Sequence, residues 1–199
     1  MIEVAGRKNM GTERPTKRRQ RNQRQQLATA YHEAGHAVVA VLLGVGLRKR
    51  GVSIIPDVED DTAGRVHTRS SLRGNPEYDN SRRIRFNAED RVVVKLAGIE
   101  AQRRFNPRSV RNYHGSSDFR TAIDLLCYFV GSDAELNAYV RLLRLRARQT
   151  VQQFWVDIEA VAAALMEKKR LSGPEVKAII QRWPKDQKCK LLSASDAKT

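Results

Sequence analysis

Leu27-Ala28-Thr29-Ala30-Tyr31-His32-Glu33-Ala34-Gly35-His36-Ala37-Val38-Val39-Ala40-Val41-Leu42 is the stretch around which the rest of this chain arranges itself. Leu27, Ala30, Tyr31, Ala34, Ala37, Val38, Val41 and Leu42 recur at three- and four-residue steps, which predicts an amphipathic helix ending near Gly44 and Gly46. His32, Glu33 and His36 make an H-E-x-x-H pattern, and at 3.6 residues per turn the two histidines lie only about 40° apart around the helix. Both imidazoles can therefore grip one ion. Zinc takes neutral histidine nitrogens, and a catalytic zinc uses three protein ligands and leaves a position for water. Glu33 points to the same neighbourhood and is the candidate base that removes a proton from water and delivers it to a leaving amine. Gly35 costs about 1 kcal/mol relative to alanine inside a helix, so another segment or a substrate is expected to come close there.

Outward from this helix, Val52-Ser53-Ile54-Ile55-Pro56 reads as a short strand, and Gly64 to Thr68 as a second one after an acidic turn. Residues 69–86 have the composition of a loop, and Asn87 with Asp90 resembles a capping box opening a helix that buries Val92, Val93, Leu96, Ile99 and Ala101. Ser116 or Ser117 can cap a helix through Val130, with Phe119, Ala122, Ile123, Leu126 and Phe129 inward and Asp118 in its first turn. Residues 133–169 are strongly helix-forming, as one long or two consecutive helices, with Leu142, Leu145, Val151, Phe154, Ile158, Val161 and Leu165 as core candidates. Ser172 and Glu175 form a capping box around Pro174 for a short final helix. The fold class expected is mainly α with a small β-sheet (α+β), divided into a disordered basic arm at 1–26, a domain at 27–183 and a tail at 184–199.

The net charge of +15 is the compositional outlier and predicts salt-sensitive attraction to polyanions. The basic arm is a candidate contact for nucleic acid or an acidic partner. Arg141, Arg144 and Arg148 form a second basic stripe, expected as a solvated face. Cys127 and Cys189 lack the close spacing of a redox or zinc pair and read as free thiols. No apolar run reaches the roughly 20 residues that span a bilayer. Together these features predict a cytoplasmic location without a transmembrane segment.

With those residues in view, Ala30 to Ala37 resembles the zinc helix of the FtsH-type ATP-dependent proteases. The resemblance continues in Val52 to Pro56 with Gly64, in Leu96-Ala97-Gly98-Ile99-Glu100-Ala101, in Gly115-Ser116-Ser117-Asp118-Phe119-Arg120-Thr121-Ala122, and in Leu171-Ser172-Gly173-Pro174-Glu175-Val176. It implies a helical peptidase domain with Zn2+ held by His32, His36 and Asp118 and with Glu33 as catalytic base. On residue chemistry alone the favoured reading of Asp118 is a first-turn acid complementing the helix dipole, with Asp124 a weaker ligand candidate and His67 and His114 further histidines that could approach the metal. Gly64, Arg65, Val66 and His67 are the candidate substrate-binding edge strand.

The sequence departs from that family in having neither membrane helices nor a Gly-rich phosphate loop with Lys-Ser/Thr. The function expected is therefore a zinc-dependent endopeptidase acting on unfolded or flexible polypeptides without its own ATPase, with a separate ATPase or adaptor as an open partner. The alternative is a non-catalytic, zinc-containing regulatory or nucleic-acid-binding protein that uses the basic arm. Retention of Glu33 favours the enzyme, because a structural zinc site needs no base.

Overall fold

The first helix is longer than the apolar pattern that announces it. In the computed structural model, which describes residues 17–56, 64–68, 75–79, 81–110 and 116–181, α1 runs Lys17–Leu42. Residues 17–26, expected to belong to a disordered arm, are helical. Arginine and glutamine are good helix formers, and a long helix already nucleated at Leu27 propagates into such residues at little cost.

Strands β1 (Leu47–Ser53) and β2 (Arg65–Thr68) pair antiparallel, and β3 (Arg170–Leu171) pairs antiparallel with the other side of β1, giving the order β2-β1-β3. Val52 lies opposite Val66 on one side and Leu171 on the other. β1 starts and stops earlier than the expected 52–56 because its pairing is set by tertiary partners rather than by the β-branched run. Gly51, at φ +64°, sits in the irregular part of this ladder, and a Cβ there would fall 2.0 Å from the Leu171 carbonyl oxygen. Only glycine accommodates both the backbone and the close approach.

Helix α2 spans Arg82–Phe105 with Ser81 at its N-cap, so Asn87 is an interior residue and the expected Asn87–Asp90 cap is not the start. Arg82 to Phe86 continue the helix because buried Ile84 extends its apolar face one turn earlier. α3 (Ser116–Leu126) carries Asp118 in its first turn and gives way to a 3-10 turn at Cys127–Phe129, short of Val130. Phe119, expected inward, is exposed, as are Leu142 and Leu145. The 133–169 segment is two helices, α4 (Asp133–Gln153) and α5 (Trp155–Lys168), broken at Phe154. α6 (Gly173–Gln181) opens with the expected capping box: the Glu175 carboxylate accepts from the Ser172 backbone N–H at 2.8 Å, and the Glu175 N–H donates to Ser172 Oγ at 3.4 Å. Cys127 is an exposed free thiol, and Cys189 lies outside the described residues.

In the main core cluster the alanines and valines of α1 meet Val92, Leu96 and Ala101 of α2, Leu143 and Val151 of α4, and Ile158, Val161 and Leu165 of α5, and a second, smaller cluster joins Ile84 and Ala88 of α2 to Phe129. Arg144 and Arg148 are not a simple solvated stripe. They reach Glu100 of α2, 3% exposed, at 2.8 and 3.3 Å, and Arg103 adds a third ion pair. Burial alone would raise the Glu100 carboxyl, but the hydrogen bonds from Arg144 and Arg103 hold it below the usual carboxylate range. The long arginine stems keep their charged ends partly in water while satisfying an acid that would otherwise be costly to bury.

Candidate metal centre

His32 and His36 face the same side of α1, one turn apart, and Asp118 comes in from the first turn of α3. His32 Nε2 lies 3.0 Å from His36 Nε2, and Asp118 Oδ2 lies 3.0 Å from His36 Nε2 and 3.5 Å from His32 Nε2. Among the described residues these three form the one group of histidine, cysteine and acidic side chains that could hold a metal, with ligand atoms all within 4.8 Å. Bond lengths of roughly 2.0–2.1 Å in tetrahedral geometry put zinc ligands about 3.3 Å from one another. The observed triangle has that size, and its two-nitrogen, one-oxygen donor set suits zinc.

Helix α2 prepares the histidines. His36 Nδ1 donates to the Val94 carbonyl oxygen at 2.7 Å, and His32 Nδ1 donates to Gln102 Oε1 at 3.0 Å. With each proton assigned to Nδ1 by these partners, both Nε2 lone pairs turn toward the centre of the triangle. Gln102 is itself anchored, its amide nitrogen donating to the Ser109 carbonyl oxygen at 3.1 Å. Lys95 Nζ donates to Asp118 Oδ1 at 2.8 Å, leaving Oδ2 for the histidines. In the metal-free protein, with protons on the histidine Nε2 atoms instead of a metal, burial opposes ionisation of Asp118, but His36, His32 and Lys95 outweigh it and hold the carboxyl well below the usual range.

Glycines let these parts approach. A Cβ on Gly35 would meet the Ala101 Cβ at 2.6 Å and the Ala97 carbonyl oxygen at 2.8 Å, so α1 and α2 touch backbone to backbone, the close approach that Gly35 implied. A Cβ on Gly98 would fall 2.3 Å from His36 Nε2. Gly64, immediately before β2, makes the same kind of room for Glu33, whose carboxylate would lie 2.8 Å from an added Cβ. Glu33 is 6% exposed, and burial pushes its carboxyl up to about 7, with His32 pulling the other way and Asp118 adding to the rise.

A cleft opens over this cluster, with Glu33, His36 and Asp118 on its floor and Val94 and Lys95 on one side. Gly64 and the β2 residues Arg65, Val66 and Thr68 also line it. Among the described residues β2 is an edge strand, bonded to β1 alone. Of the expected strand residues, Gly64, Arg65 and Val66 border the cleft. His67 is not among its lining residues, and burial together with Arg65, Arg50 and Arg48 lowers its imidazole below the ordinary histidine value. Asp124 is exposed on α3 outside the ligand group, and His114 lies outside the described residues. Lys95, Val94, Gln102 and Gly98 were not singled out from the sequence as site residues. The only signal available was the small-residue pair Ala97-Gly98, which marks close packing on α2.

The molecule is thus a mainly helical α+β domain whose H-E-x-x-H helix meets an aspartate to form a three-ligand, zinc-compatible cluster beside a buried glutamate. No protein-family model matches the chain. It is similar to the ATP-dependent zinc metalloprotease FtsH 1 of Symbiobacterium thermophilum, with 28% identity over 180 residues. That match covers 78% of this chain but 29% of the relative, so the chain spans less than a third of that protein's length.

Proposed function

We propose that the protein is a zinc-dependent endopeptidase that hydrolyses peptide bonds in unfolded or flexible polypeptides. The observation that carries this reading is the convergence of His32, His36 and Asp118 with a buried carboxylate, Glu33, at the floor of a cleft whose wall is an edge strand. Among the described residues no fourth ligand closes the site, as a structural zinc site would require, and such a site would have no use for a desolvated acid.

His32, His36 and Asp118 would hold the metal, which when bound supplies Lewis acidity toward a peptide carbonyl and toward water. Glu33 accepts the proton of the attacking water and passes it to the departing amine nitrogen; its buried position keeps that proton out of exchange with bulk solvent. Lys95 keeps Asp118 oriented, and Val94 and Gln102 keep the imidazoles oriented. An extended substrate adds itself to β2 by main-chain hydrogen bonds, a mode that reads backbone rather than sequence and requires the substrate segment to be unfolded. The 199 residues contain no phosphate-binding loop, so the cleavage proposed for these residues draws on no nucleotide site of their own. Among the described residues no helix is long and apolar enough to cross a membrane.

The test is cleavage of a fluorescently labelled unfolded protein, followed with and without ATP. Activity is expected with zinc, lost on chelation and restored when zinc is returned, at the same rate whether or not ATP is present. Cleavage that survives chelation, or none at all in protein carrying a full complement of zinc, contradicts the proposal.

A further inference from the structure

Residues 17–26 read Lys-Arg-Arg-Gln-Arg-Asn-Gln-Arg-Gln-Gln, a stretch in which every side chain is a hydrogen-bond donor and none is acidic or apolar. They form the opening turns of α1, and every described side chain from Arg18 to Gln26 is exposed, with burial beginning at Leu27 and Ala28. Among the described residues Arg18, Arg21 and Arg24 have no ion-pair partner. This is an electrostatically uncomfortable helix. Cations near a helix N-terminus oppose its dipole by about 0.3–1 kcal/mol each. Arg18, Arg21 and Arg24 also repel one another at successive three-residue steps, and the first turn has no acid to offset them. Among the described residues these side chains are exposed, and an external anion array is the complement that would relieve their charge.

We propose that this basic segment of α1 is a docking surface for double-stranded DNA. The side-chain chemistry selects among polyanions. A membrane-surface helix needs an apolar face to enter the acyl boundary, and this segment has no apolar residue. A protein partner would find no aromatic or aliphatic anchor here, and arginine alone among the residue types that anchor protein interfaces. The deep, narrow major groove of duplex RNA excludes a helix. The major groove of B-DNA, about 12 Å wide, admits one. Ten helical residues span about 15 Å, enough to lie along the groove with arginines reaching phosphates on both strands. Arginine suits guanine edges and glutamine suits adenine edges, so Gln20 and Gln23, about 60° apart around the helix, can meet bases on one face while the arginines supply affinity. The net charge of +15 adds long-range attraction. This surface is separate from the metal centre and does not depend on peptidase activity.

The experiment is fluorescence anisotropy of a labelled 20-base-pair duplex titrated with the full chain between 50 and 200 mM salt. The wild type is compared with Arg18→Gln/Arg21→Gln/Arg24→Gln and with Arg83→Gln/Arg120→Gln/Arg141→Gln, which removes the same charge from other exposed positions. Glutamine keeps helix propensity, so both variants are expected to fold, as circular dichroism would verify. The α1 variant is expected to lose at least tenfold in affinity at 50 mM salt and to flatten the slope of log affinity against log salt by about 0.9 for each phosphate it no longer neutralises. The control variant is expected to stay within threefold of wild type. Equal weakening by both variants would mean diffuse charge attraction and would overturn the proposal. So would an unaffected α1 variant, absence of duplex binding at 50 mM salt, or binding to duplex RNA or phosphatidylserine vesicles as tight as to DNA.

Discussion

Glu33→Gln is expected to keep zinc bound and to lower kcat by about 10²–10⁴-fold, the range typical of a general base. Glutamine has the shape of glutamate and can occupy the same space against Gly64, but it cannot accept a proton from water. A second, independent signature separates this role from a packing role. In metal-stripped protein the Glu33 carboxyl rises from about 4.5 to about 7, so the native state holds that proton more tightly than the unfolded chain does. Stability is then fully present below about 4.5 and is lost as pH climbs through about 7, by an amount of order 3 kcal/mol. Glutamine has no proton to lose. The chelator-treated variant should therefore melt several degrees above wild type at pH 8 and alongside it at pH 4.5, in thermal scans followed by circular dichroism. A slow variant that is also more stable would mark Glu33 as a group kept for chemistry at the expense of the fold. A variant that cleaves as fast as wild type would remove Glu33 from the reaction.

Gly98→Ala should disable the centre without replacing a ligand. The added methyl would lie 2.3 Å from His36 Nε2 and 2.5 Å from Cε1, so either the imidazole leaves its bond to the Val94 carbonyl or α2 backs away from α1. Overpacking of this kind costs about 1–3 kcal/mol. Disturbing the partner that orients a ligating histidine typically costs 10–100-fold in metal affinity, and displacing the ring itself should exceed that. Gly44→Ala is the control. Gly44 has φ +72° and open space around its Cβ position, so alanine there strains the backbone by about 1 kcal/mol but meets no site residue. Zinc titration against a competing chelator should show at least a hundredfold loss for Gly98→Ala and none for Gly44→Ala. Equal zinc affinity in both variants would mean that His36 is not where the metal binds.

The parts of this site that were legible in the sequence are those confined to one helical turn. His32, Glu33 and His36 declare themselves because five consecutive residues fix their mutual placement once the helix is granted. Asp118 is 82 positions from His36, and its chemistry alone favours a dipole-complementing acid, so only the pattern of blocks along the chain pointed to it. Lys95, the Val94 carbonyl, Gln102 and Gly98 were invisible for a common reason. Each acquires its role from helix packing: Val94, Gln102 and Gly98 from the close crossing of α1 and α2, which depends on Gly35, Ala97 and Ala101 meeting in space, and Lys95 from α3 bringing Asp118 to α2.

The fold follows the same division. Class and element types were readable from apolar periodicity and from the Ser172–Glu175 cap, whose reciprocal bonds are local. Boundaries were less so. A plausible capping pair at Asn87 and Asp90 was overridden by burial of Ile84 one turn earlier. Arg144 and Arg148 have the spacing of a solvated stripe, and nothing within α4 reveals that Glu100 of another helix is buried beneath them.

Zinc stoichiometry is the most direct check on the central claim. Protein dialysed against limiting zinc and then analysed by atomic emission should carry one zinc per chain as wild type and essentially none as His32→Ala/His36→Ala, with circular dichroism showing both folded. A double variant that retains zinc in full, or a folded wild type that binds none, would contradict a metal centre built from His32, His36 and Asp118.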